Sequence, residues 1–192
     1  MELAEFLDGR VIVMVGDITE EKTDAIVNAA NRTLLGGGGV DGAIHAKGGL
    51  AILAECQRIR ETDYPDGLPT GKAVITSGGN LPAKHVIHTV GPIFGMHSGR
   101  DADLLADCYR NSLGLAISSG LTSIAFPSIS TGAFGYPKHE AAKTSSSAIE
   151  LFLRDDSILQ QVRLVFFGKV DAEMFLRHHL FERGVDSLFP GR

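Results

Sequence analysis

The sequence predicts one α/β domain in which a mixed, mostly parallel sheet of about six strands lies between layers of helices. The chain has 192 residues, of which 44% are hydrophobic, so it can bury one sizeable core and leaves little room for a second. Short apolar runs rich in Val and Ile alternate with longer segments of helical pattern, which is typical of parallel strands covered on both faces. We therefore expect a single domain over residues 1–192, with its core at about 11–184.

The individual elements follow from this alternation. The predicted strands are Val11–Ile18, Ala25–Ala30, Ala73–Ser77, His85–Val90, Ser123–Ser128 and Arg163–Phe167. The predicted helices are Asp41–Arg60, Asp101–Ser119, His139–Arg154 and Asp171–Arg183. Gly48 and Gly49 could break the first helix, Pro137 suits the start of the third, and Gly184 suits a stop after the fourth. In such a sheet, ligands favour the crevice beyond the carboxyl ends of the strands.

Charge and composition disfavour several classes of protein. The formal net charge of −5 argues against non-specific nucleic-acid binding, which needs many clustered Lys and Arg side chains. No apolar stretch approaches the roughly 20 residues of a membrane helix, so we expect no membrane association. Acidic residues and no basic leader precede the first apolar run, so a signal peptide fits badly and a cytoplasmic protein is expected. No feature indicates an oligomer, and we expect a monomer.

The cysteines give no indication of a metal site. Cys56 and Cys108 lie far apart and lack the CxxC or Cys/His spacing of metal ligands. Both fall within predicted helices, where a small buried hydrophobe is the simplest interpretation. The sequence therefore predicts neither a metal nor a cofactor.

A glycine-rich segment, Gly36–Gly42, follows the second predicted strand and leads into a helix. Its backbone can adopt positive φ and approach a ligand closely, and the unpaired amides of a helix that starts near Asp41 would point at an anion. Gly37, Gly39 and Gly42 formally match the G-x-G-x-x-G dinucleotide fingerprint, but they follow the second strand, and the later strand ending in an acid is missing. A flexible turn without a ligand is the alternative.

A second segment, Ser128–Pro137, repeats this arrangement after the fifth predicted strand. Ser130 and Thr131 offer hydroxyl donors, and the segment contains no Lys or Arg, so neutral groups would have to bind an anion. Neither segment is a P-loop, which requires Gly-Lys-Ser/Thr, and the G-x-S-x-G of a serine nucleophile is absent. Together the two segments predict that backbone amides bind a phosphate-bearing nucleotide.

Two residues near strand ends allow alternative interpretations. Asp17 could accept a hydrogen bond from an exocyclic amino group such as that of adenine, or it could cap a short helix. Phe167 could stack on a base, which would contribute ~1–3 kcal/mol, or it could be a core residue. The local sequence leaves both choices open.

These segments occur in an order that resembles the macrodomain family. They are Gly-Asp-Ile-Thr at 16–19, Asn-Ala-Ala-Asn at 28–31 followed by four glycines, Ser-Thr-Gly-Ala-Phe-Gly-Tyr-Pro at 130–137, and a closing strand that ends in an aromatic residue. Gly36–His45 and Leu81–Pro92 are similar to signatures of the MacroD-type branch. The resemblance spans about Val11–Leu180. It implies a three-layer α/β/α sandwich that binds ADP-ribose across the carboxyl ends of the strands.

The resemblance also implies a role for each site residue. Asp17 would meet the adenine amino group, Ile18 would support adenine through its backbone amide, and Phe167 would lie against the ring. Asn31 and Asp41 would face the distal ribose. The diphosphate would be bound by the backbone of Gly38, Gly39 and Val40 and by Ser130, Thr131, Gly132, Ala133 and Phe134, the last of which would also press against the distal ribose.

The implied activity is that of an ADP-ribosyl hydrolase and O-acetyl-ADP-ribose deacetylase. Its partners would be ADP-ribose and its esters, and mono-ADP-ribosylated proteins. A carboxylate beside the ester-bearing ribose can orient or deprotonate a water without a metal, and the bound diphosphate can assist it. Asp41 is the candidate for this carboxylate, together with Asn31. A reader module that binds ADP-ribose without cleaving it is the alternative.

Several of these residues also have structural alternatives. Asp41 could cap its helix, and Asn31 could satisfy the backbone of a turn. His45 lies one turn after Asp41 and could support its carboxylate. Lys47 and Gly79 stand where the branch usually has a small and an aromatic residue, respectively, so we expect an altered rim and leave the leaving-group preference open.

Overall fold

The computed structural model describes residues 1–182, which form a sheet with helices on both faces. Within this range the strands are β1 Glu2–Phe6, β2 Val11–Val15, β3 Ala25–Ala30, β4 Ala73–Ser77, β5 His85–Val90, β6 Ser123–Phe126 and β7 Gln161–Phe166. The helices are α1 Gly39–Gly48, α2 Leu50–Thr62, α3 Asp101–Ser118, α4 Lys138–Arg154 and α5 Lys169–His178, with a 3-10 helix at Ile18–Glu20. The last helix ends at His178 rather than at the predicted Arg183, because the backbone at His179 is already extended. The predicted stop at Gly184 lies outside the described residues.

The sheet is mixed and mostly parallel, as predicted. Its strand order over the described residues is β1-β2-β7-β6-β3-β5-β4. The edge strands β1 and β4 are antiparallel to their neighbours, whereas the five strands between them are parallel. The carboxyl ends of these five strands therefore meet at one edge of the sheet, and the loops that follow them share that edge.

Each face of the sheet has its own hydrophobic core. Residues of α3, α4 and α5 pack on one face, where Val11 and Val13 of β2 are fully buried. Residues of α1 and α2 pack on the other face against Met14 and Ile26. The alternation of side chains along each strand divides them between these two cores. The three-layer α/β/α sandwich is thus confirmed.

The structure corrects the expected number of strands and some of their bounds. The sheet has a seventh strand, β1, which was missed because Glu2 and Glu5 are exposed and the apolar pattern of a buried strand is absent. The first predicted strand ends at Val15 rather than Ile18, since Asp17 starts the 3-10 helix there. β6 ends at Phe126, because Pro127 has no amide hydrogen for a ladder bond.

The first predicted helix is two helices. It starts at Gly39, earlier than expected, and breaks at Gly49, whose φ of 80° is unfavourable for residues with a side chain. This break is the one that the adjacent Gly48 and Gly49 suggested. Among residues 1–182, no helix is both long and apolar enough to cross a membrane.

Candidate functional site

A cleft of about 810 Å³ lies at the carboxyl edge of the five parallel strands. Its walls come from the loops that follow β2, β3, β5, β6 and β7. The structure brings all the predicted site residues to this one cleft: Asp17, Ile18, Asn31, Gly38, Gly39, Val40, Asp41, Ser130, Thr131, Gly132, Ala133, Phe134 and Phe167. The topology explains this, because residues far apart in the chain follow neighbouring parallel strands.

Asp17 and Phe167 lie at the ends of the neighbouring strands β2 and β7. Asp17 caps the 3-10 helix, since its Oδ1 accepts hydrogen bonds from the amide of Thr19 at 2.9 Å and from its hydroxyl at 2.7 Å. The hydroxyl bond holds the pKa of Asp17 below its usual value, so this group is a carboxylate whose Oδ2 accepts no bond from a described residue. Phe167 is 88% exposed, so its interpretation as a core residue was wrong.

The first glycine-rich loop brings the start of α1 to the wall of the cleft. Gly38 is the N-cap residue and provides no side-chain bond to the first-turn amides, which leaves them available to an anion. A Cβ on Gly37 would lie 2.9 Å from Asp41 Oδ2 and 3.1 Å from Asn31 Nδ2. A side chain at position 37 would therefore displace Asp41 or Asn31 from these positions.

The second loop presents its backbone to the cleft. Ser130 has a φ of 65°, in the left-handed region that a residue with a side chain rarely adopts. Within residues 1–182, the amides of the four residues that follow it, Thr131 to Phe134, donate no hydrogen bond. These amides are thus free to bind a ligand, and such strained backbone is common at ligand sites.

The two hydroxyl groups of this loop are placed differently from the sequence-based expectation. Thr131 Oγ1 donates to Ser128 Oγ at 2.8 Å, so it is used within the loop. Ser130 Oγ is buried, without a partner among the described residues, and faces Gly91, where a Cβ would lie 2.1 Å from it. The backbone of the loop, rather than its hydroxyl groups, is therefore available to an anion.

Positive charge contributes little to the cleft. Among the described residues that line it, Lys138 is the only cationic side chain. Its Nζ lies 2.5 Å from Asp171 Oδ1, and Asp171 also lines the cleft. Since this cation is already paired, an anion in the cleft would depend on the oriented amides of the two loops.

Asp41 is a buried carboxyl group at the wall of the cleft, with only 3% of its surface exposed. Its Oδ1 accepts a hydrogen bond from Asn28 Nδ2 at 2.7 Å, and its Oδ2 lies 3.4 Å from the donor Asn31 Nδ2. Burial raises the pKa of Asp41, while the Asn28 bond and the nearby His45 oppose that rise. The carboxylate bonds to side chains of the β3 segment and not to its own helix amides, so it is not a capping group.

Asn31 has both a structural and a site-facing role. Its Oδ1 accepts bonds from the amide of Thr33 at 2.9 Å and from its hydroxyl at 2.6 Å, which satisfies the turn as the sequence alternative proposed. Its Nδ2 donates to the carbonyl of Gly36 at 2.9 Å and faces Asp41. The side chain therefore joins the turn, the glycine-rich loop and the carboxylate.

Comparison with known proteins identifies the family. The sequence profile of the Macro domain family matches residues 27–145, more than half of the chain. The chain belongs to the macrodomain family. An O-acetyl-ADP-ribose deacetylase of Citrobacter koseri is 46% identical over 171 residues, which cover 89% of this chain and 96% of that protein. A Macro domain-containing protein of Methanosarcina mazei is 52% identical over 161 residues, 83% of this chain and 82% of its own.

Solved macrodomain structures share the fold. The Oceanobacillus iheyensis macrodomain with ADP has a TM-score of 0.87 and 46% identity, covering 93% of both chains. The Trypanosoma brucei macrodomain in complex with ADP-ribose has a TM-score of 0.80 and 38% identity, covering 88% of this chain and 68% of that one.

A hydrogen-bonded series of buried polar residues, Asn28, His88 and Thr76, lies behind Asp41 in this macrodomain. It was not predicted from the sequence. Asn28 is fully buried in β3, and its Nδ2 donates to Asp41 Oδ1 and lies 3.1 Å from His88 Nδ1. Since the amide is the donor, His88 accepts at Nδ1 and donates from Nε2 to Thr76 Oγ1 at 2.9 Å. Burial lowers the pKa of His88 to about 3, so the ring is neutral. The hydrogen bonds of His88 and Thr76 orient Asn28, and Asn28 in turn holds Asp41.

His45 stands near Asp41 as expected, but without a hydrogen bond. Its Nε2 lies 3.5 Å from Asp41 Oδ1 and is buried, with no hydrogen-bond partner among the described residues. The only sequence signal for this arrangement was the i,i+4 spacing of the two residues on α1.

Lys47 and Gly79 do not line the cleft of this macrodomain. Lys47 Nζ pairs with Glu20 Oε1 of the 3-10 helix and contributes to the low pKa of Asp17, so it acts on the Asp17 region. Gly79 has a φ of 56°, and a Cβ there would lie 2.1 Å from the carbonyl oxygen of Gly48. An aromatic side chain is therefore incompatible with the contact that Gly79 makes at the α1–α2 break.

Proposed function

We propose that this macrodomain binds ADP-ribose and hydrolyses its ester linkages by a metal-independent attack of water assisted by Asp41. Its substrates would be O-acetyl-ADP-ribose and proteins that carry mono-ADP-ribose on acidic side chains. The observation that carries the proposal is the buried Asp41 carboxylate, held by Asn28 and Asn31 at the wall of a cleft lined by two loops with free amides.

The binding part of the proposal rests on the match between the cleft and the ligand. The amides of the two loops suit a diphosphate, because they are oriented donors that need no charge. The free Oδ2 of Asp17 suits the adenine amino group, and the exposed ring of Phe167 suits stacking on the base. The solved relatives with ADP and ADP-ribose support this choice of ligand.

The chemical part rests on the environment of Asp41. Burial raises the pKa of this carboxyl group, which makes the carboxylate a stronger base for a water at the ester-bearing ribose. Its geometry is fixed by Asn28 and Asn31, so little reorganisation is needed when the water loses its proton. The bound diphosphate can share this role. The relatives named O-acetyl-ADP-ribose deacetylase support an ester as the substrate.

Two measurements on Asp41→Asn test both parts. Calorimetric titration measures ADP-ribose affinity, and a single-turnover assay measures hydrolysis of O-acetyl-ADP-ribose and of a mono-ADP-ribosylated glutamate peptide. We expect the rate to fall by about 100-fold or more, typical of losing a general base, while the affinity changes by less than about threefold. The affinity should hold because the amides and the Asp17 region are unchanged.

Asp171→Asn is the matched control, since Asp171 also lines the cleft but pairs with Lys138. It should keep the wild-type rate. Tight binding without turnover in the wild type would instead identify a reader module. Equal rates for wild type and Asp41→Asn would remove Asp41 from the mechanism.

A further inference from the structure

Three potential metal ligands from three different elements meet behind Asp41. His45 of α1, Cys56 of α2 and His88 of β5 each offer one ligand atom, and these atoms all lie within 4.8 Å of one another. No short spacing in the sequence brings them together, which is why the cysteines alone indicated no metal site. Cys56 and His88 are fully buried, and the Nε2 of His45 is buried and lacks a hydrogen-bond partner among residues 1–182.

The distance between Cys56 and His88 suits a tetrahedral ion. Cys56 Sγ lies 3.7 Å from His88 Nε2. A sulfur and a nitrogen bound to one tetrahedral Zn²⁺ stand about 3.6 Å apart, given bond lengths of about 2.3 Å and about 2.1 Å. Asp41 Oδ1 lies 3.5 Å from His45 Nε2 but outside this group of three mutually close atoms, so it has to move toward the ion to become the fourth donor. Two imidazoles, a thiolate and a carboxylate favour Zn²⁺ over Mg²⁺ or Ca²⁺, which prefer oxygen ligands.

We propose that His45, Cys56, His88 and Asp41 form a zinc site, and that the bound ion inhibits the macrodomain by holding Asp41 away from the substrate. The inhibition rests on the proposed function, whereas the binding of the ion does not. The site uses none of the amides of the two loops or the Asp17 region, so ADP-ribose still binds when zinc is present.

Asn28 gives the metal-bound form of His88 an acceptor for its remaining N–H. In the structure, Nε2 of His88 carries a proton and donates it to Thr76 Oγ1, so metal binding at Nε2 requires this bond to break and the proton to move to Nδ1. The Oδ1 of Asn28 is a buried acceptor without a partner among the described residues. A flip of this amide would present Oδ1 to the new Nδ1–H of His88, which is the outer bond that metal-bound histidines usually make.

The same flip releases Asp41. Asn28 Oδ1 would take the place of the Nδ2 that now lies 2.7 Å from Asp41 Oδ1, and because two acceptors repel at that distance, the carboxylate moves away from Asn28 and toward the ion. The Cys56 S–H bond breaks and an S–Zn bond forms, with its proton passing to solvent. The proton of His88 only changes nitrogen, so one proton is released for each ion bound.

The ion can reach the site from the side of the glycine-rich loop. A Cβ on Gly36 would lie 3.6 Å from His45 Cγ, so the loop backbone covers this ring closely. The next residue, Gly37, lines the cleft. This thin cover separates the four donors from the solvent of the cleft.

Co²⁺ is the first probe, because a thiolate bound to Co²⁺ gives a charge-transfer absorption that imidazole and carboxylate ligands lack. We expect one equivalent of Co²⁺ to produce this band in the full chain and Zn²⁺ to abolish it by displacement. The band should disappear in Cys56→Ala and in Cys56→Ser, the latter retaining the side-chain volume. It should remain in His97→Ala, a control that removes another half-buried histidine of a His–Asp i,i+4 pair. Thermal unfolding of each variant shows that it is folded.

Activity and affinity are then measured with and without zinc. At ten times its dissociation constant, Zn²⁺ should leave about one-tenth of the wild-type hydrolysis rate, since mass action leaves that fraction of sites empty. The rate of Cys56→Ala should not respond, and calorimetry should give the same ADP-ribose affinity with and without the ion. Absence of the thiolate band, or zinc inhibition that persists in folded Cys56→Ala, overturns the proposal and indicates an adventitious ion only. If the band forms but the metal-free protein hydrolyses nothing, the zinc site stands and the hydrolase function fails.

Discussion

Asn28→Leu tests whether the hydrogen-bonded series of buried residues behind Asp41 positions the reacting carboxylate. Leu has a similar size and branching, so the fully buried position stays filled while the hydrogen bond to Asp41 Oδ1 at 2.7 Å is lost. Without this bond the carboxylate is no longer held where it acts on water, and a misplacement of about 1 Å lowers a reaction rate by about 100-fold. We therefore expect the rate of ester hydrolysis to fall by about that factor, although the carboxylate itself becomes more basic.

The affinity for ADP-ribose should be nearly unchanged, because Asn28 does not line the cleft. The pH dependence gives a second readout. The Asn28 bond lowers the pKa of Asp41, so its loss raises that pKa, and the loss of rate on acidification should begin at a higher pH than in the wild type. Single-turnover rates across pH, with calorimetry of ADP-ribose, measure both effects.

Thr89→Val is the matched control for Asn28→Leu. Thr89 is also fully buried on a central strand, and the substitution removes one hydrogen bond, from its Oγ1 to the carbonyl of Lys72 at 2.8 Å. It should lower stability without changing the rate or its pH dependence. A wild-type rate for Asn28→Leu, or an equal loss of rate for Thr89→Val, would refute the positioning role.

Two further substitutions test the proposed adenine contact and the hydrogen bonds of Asp24, which directly precedes β3. Phe167→Ala should weaken ADP-ribose binding by about 5- to 150-fold in calorimetry with an unchanged melting temperature, because the ring is 88% exposed and stacks on adenine in the proposed complex; equal affinity would contradict this. Asp24→Asn should lower the free energy of unfolding by about 1.5–3 kcal/mol in urea denaturation near pH 7, because the carboxylate accepts bonds from Lys84, Thr122 and Ser123. Those bonds hold the pKa of Asp24 well below its usual value, so the stabilisation is complete above the unfolded-state pKa of about 3.9 and is lost as pH falls through the folded-state value. A difference between wild type and Asp24→Asn that persists in acid would contradict this explanation.

The central strands could be predicted because parallel strands covered on both faces need continuous apolar runs. Val11–Val15 and Ala25–Ala30 have such runs, and both are strands in the structure. β1 could not be recognised in this way, because an edge strand is stabilised mainly by ladder bonds to its single neighbour and tolerates exposed charges such as Glu2 and Glu5. The strand was therefore missed because an edge strand does not need the apolar pattern of a buried one.

The loops of the site were also predictable, whereas the residues behind Asp41 were not. Glycines and hydroxyl residues at strand ends indicate close approach of a ligand, and the topology then brings the loops together. Asn28 and His88 are single polar residues within apolar strands, and their contact depends on the pairing of β3 with β5 across 60 positions of sequence. A local signal did exist, since a buried Asn in a strand must find a hydrogen-bond partner. Naming that partner required the strand register.

The charge distribution explains how an acidic chain can offer a site to an anion. Net charge acts over distances that salt screens, whereas oriented amides act within hydrogen-bond reach. In this macrodomain the cationic Lys138 at the cleft is paired with Asp171, and Asp41 adds negative charge at the wall. A site built on cations would pair with Asp41 and reduce its strength as a base. By leaving anion recognition to neutral amides, the proposed mechanism keeps the carboxylate free to act on water.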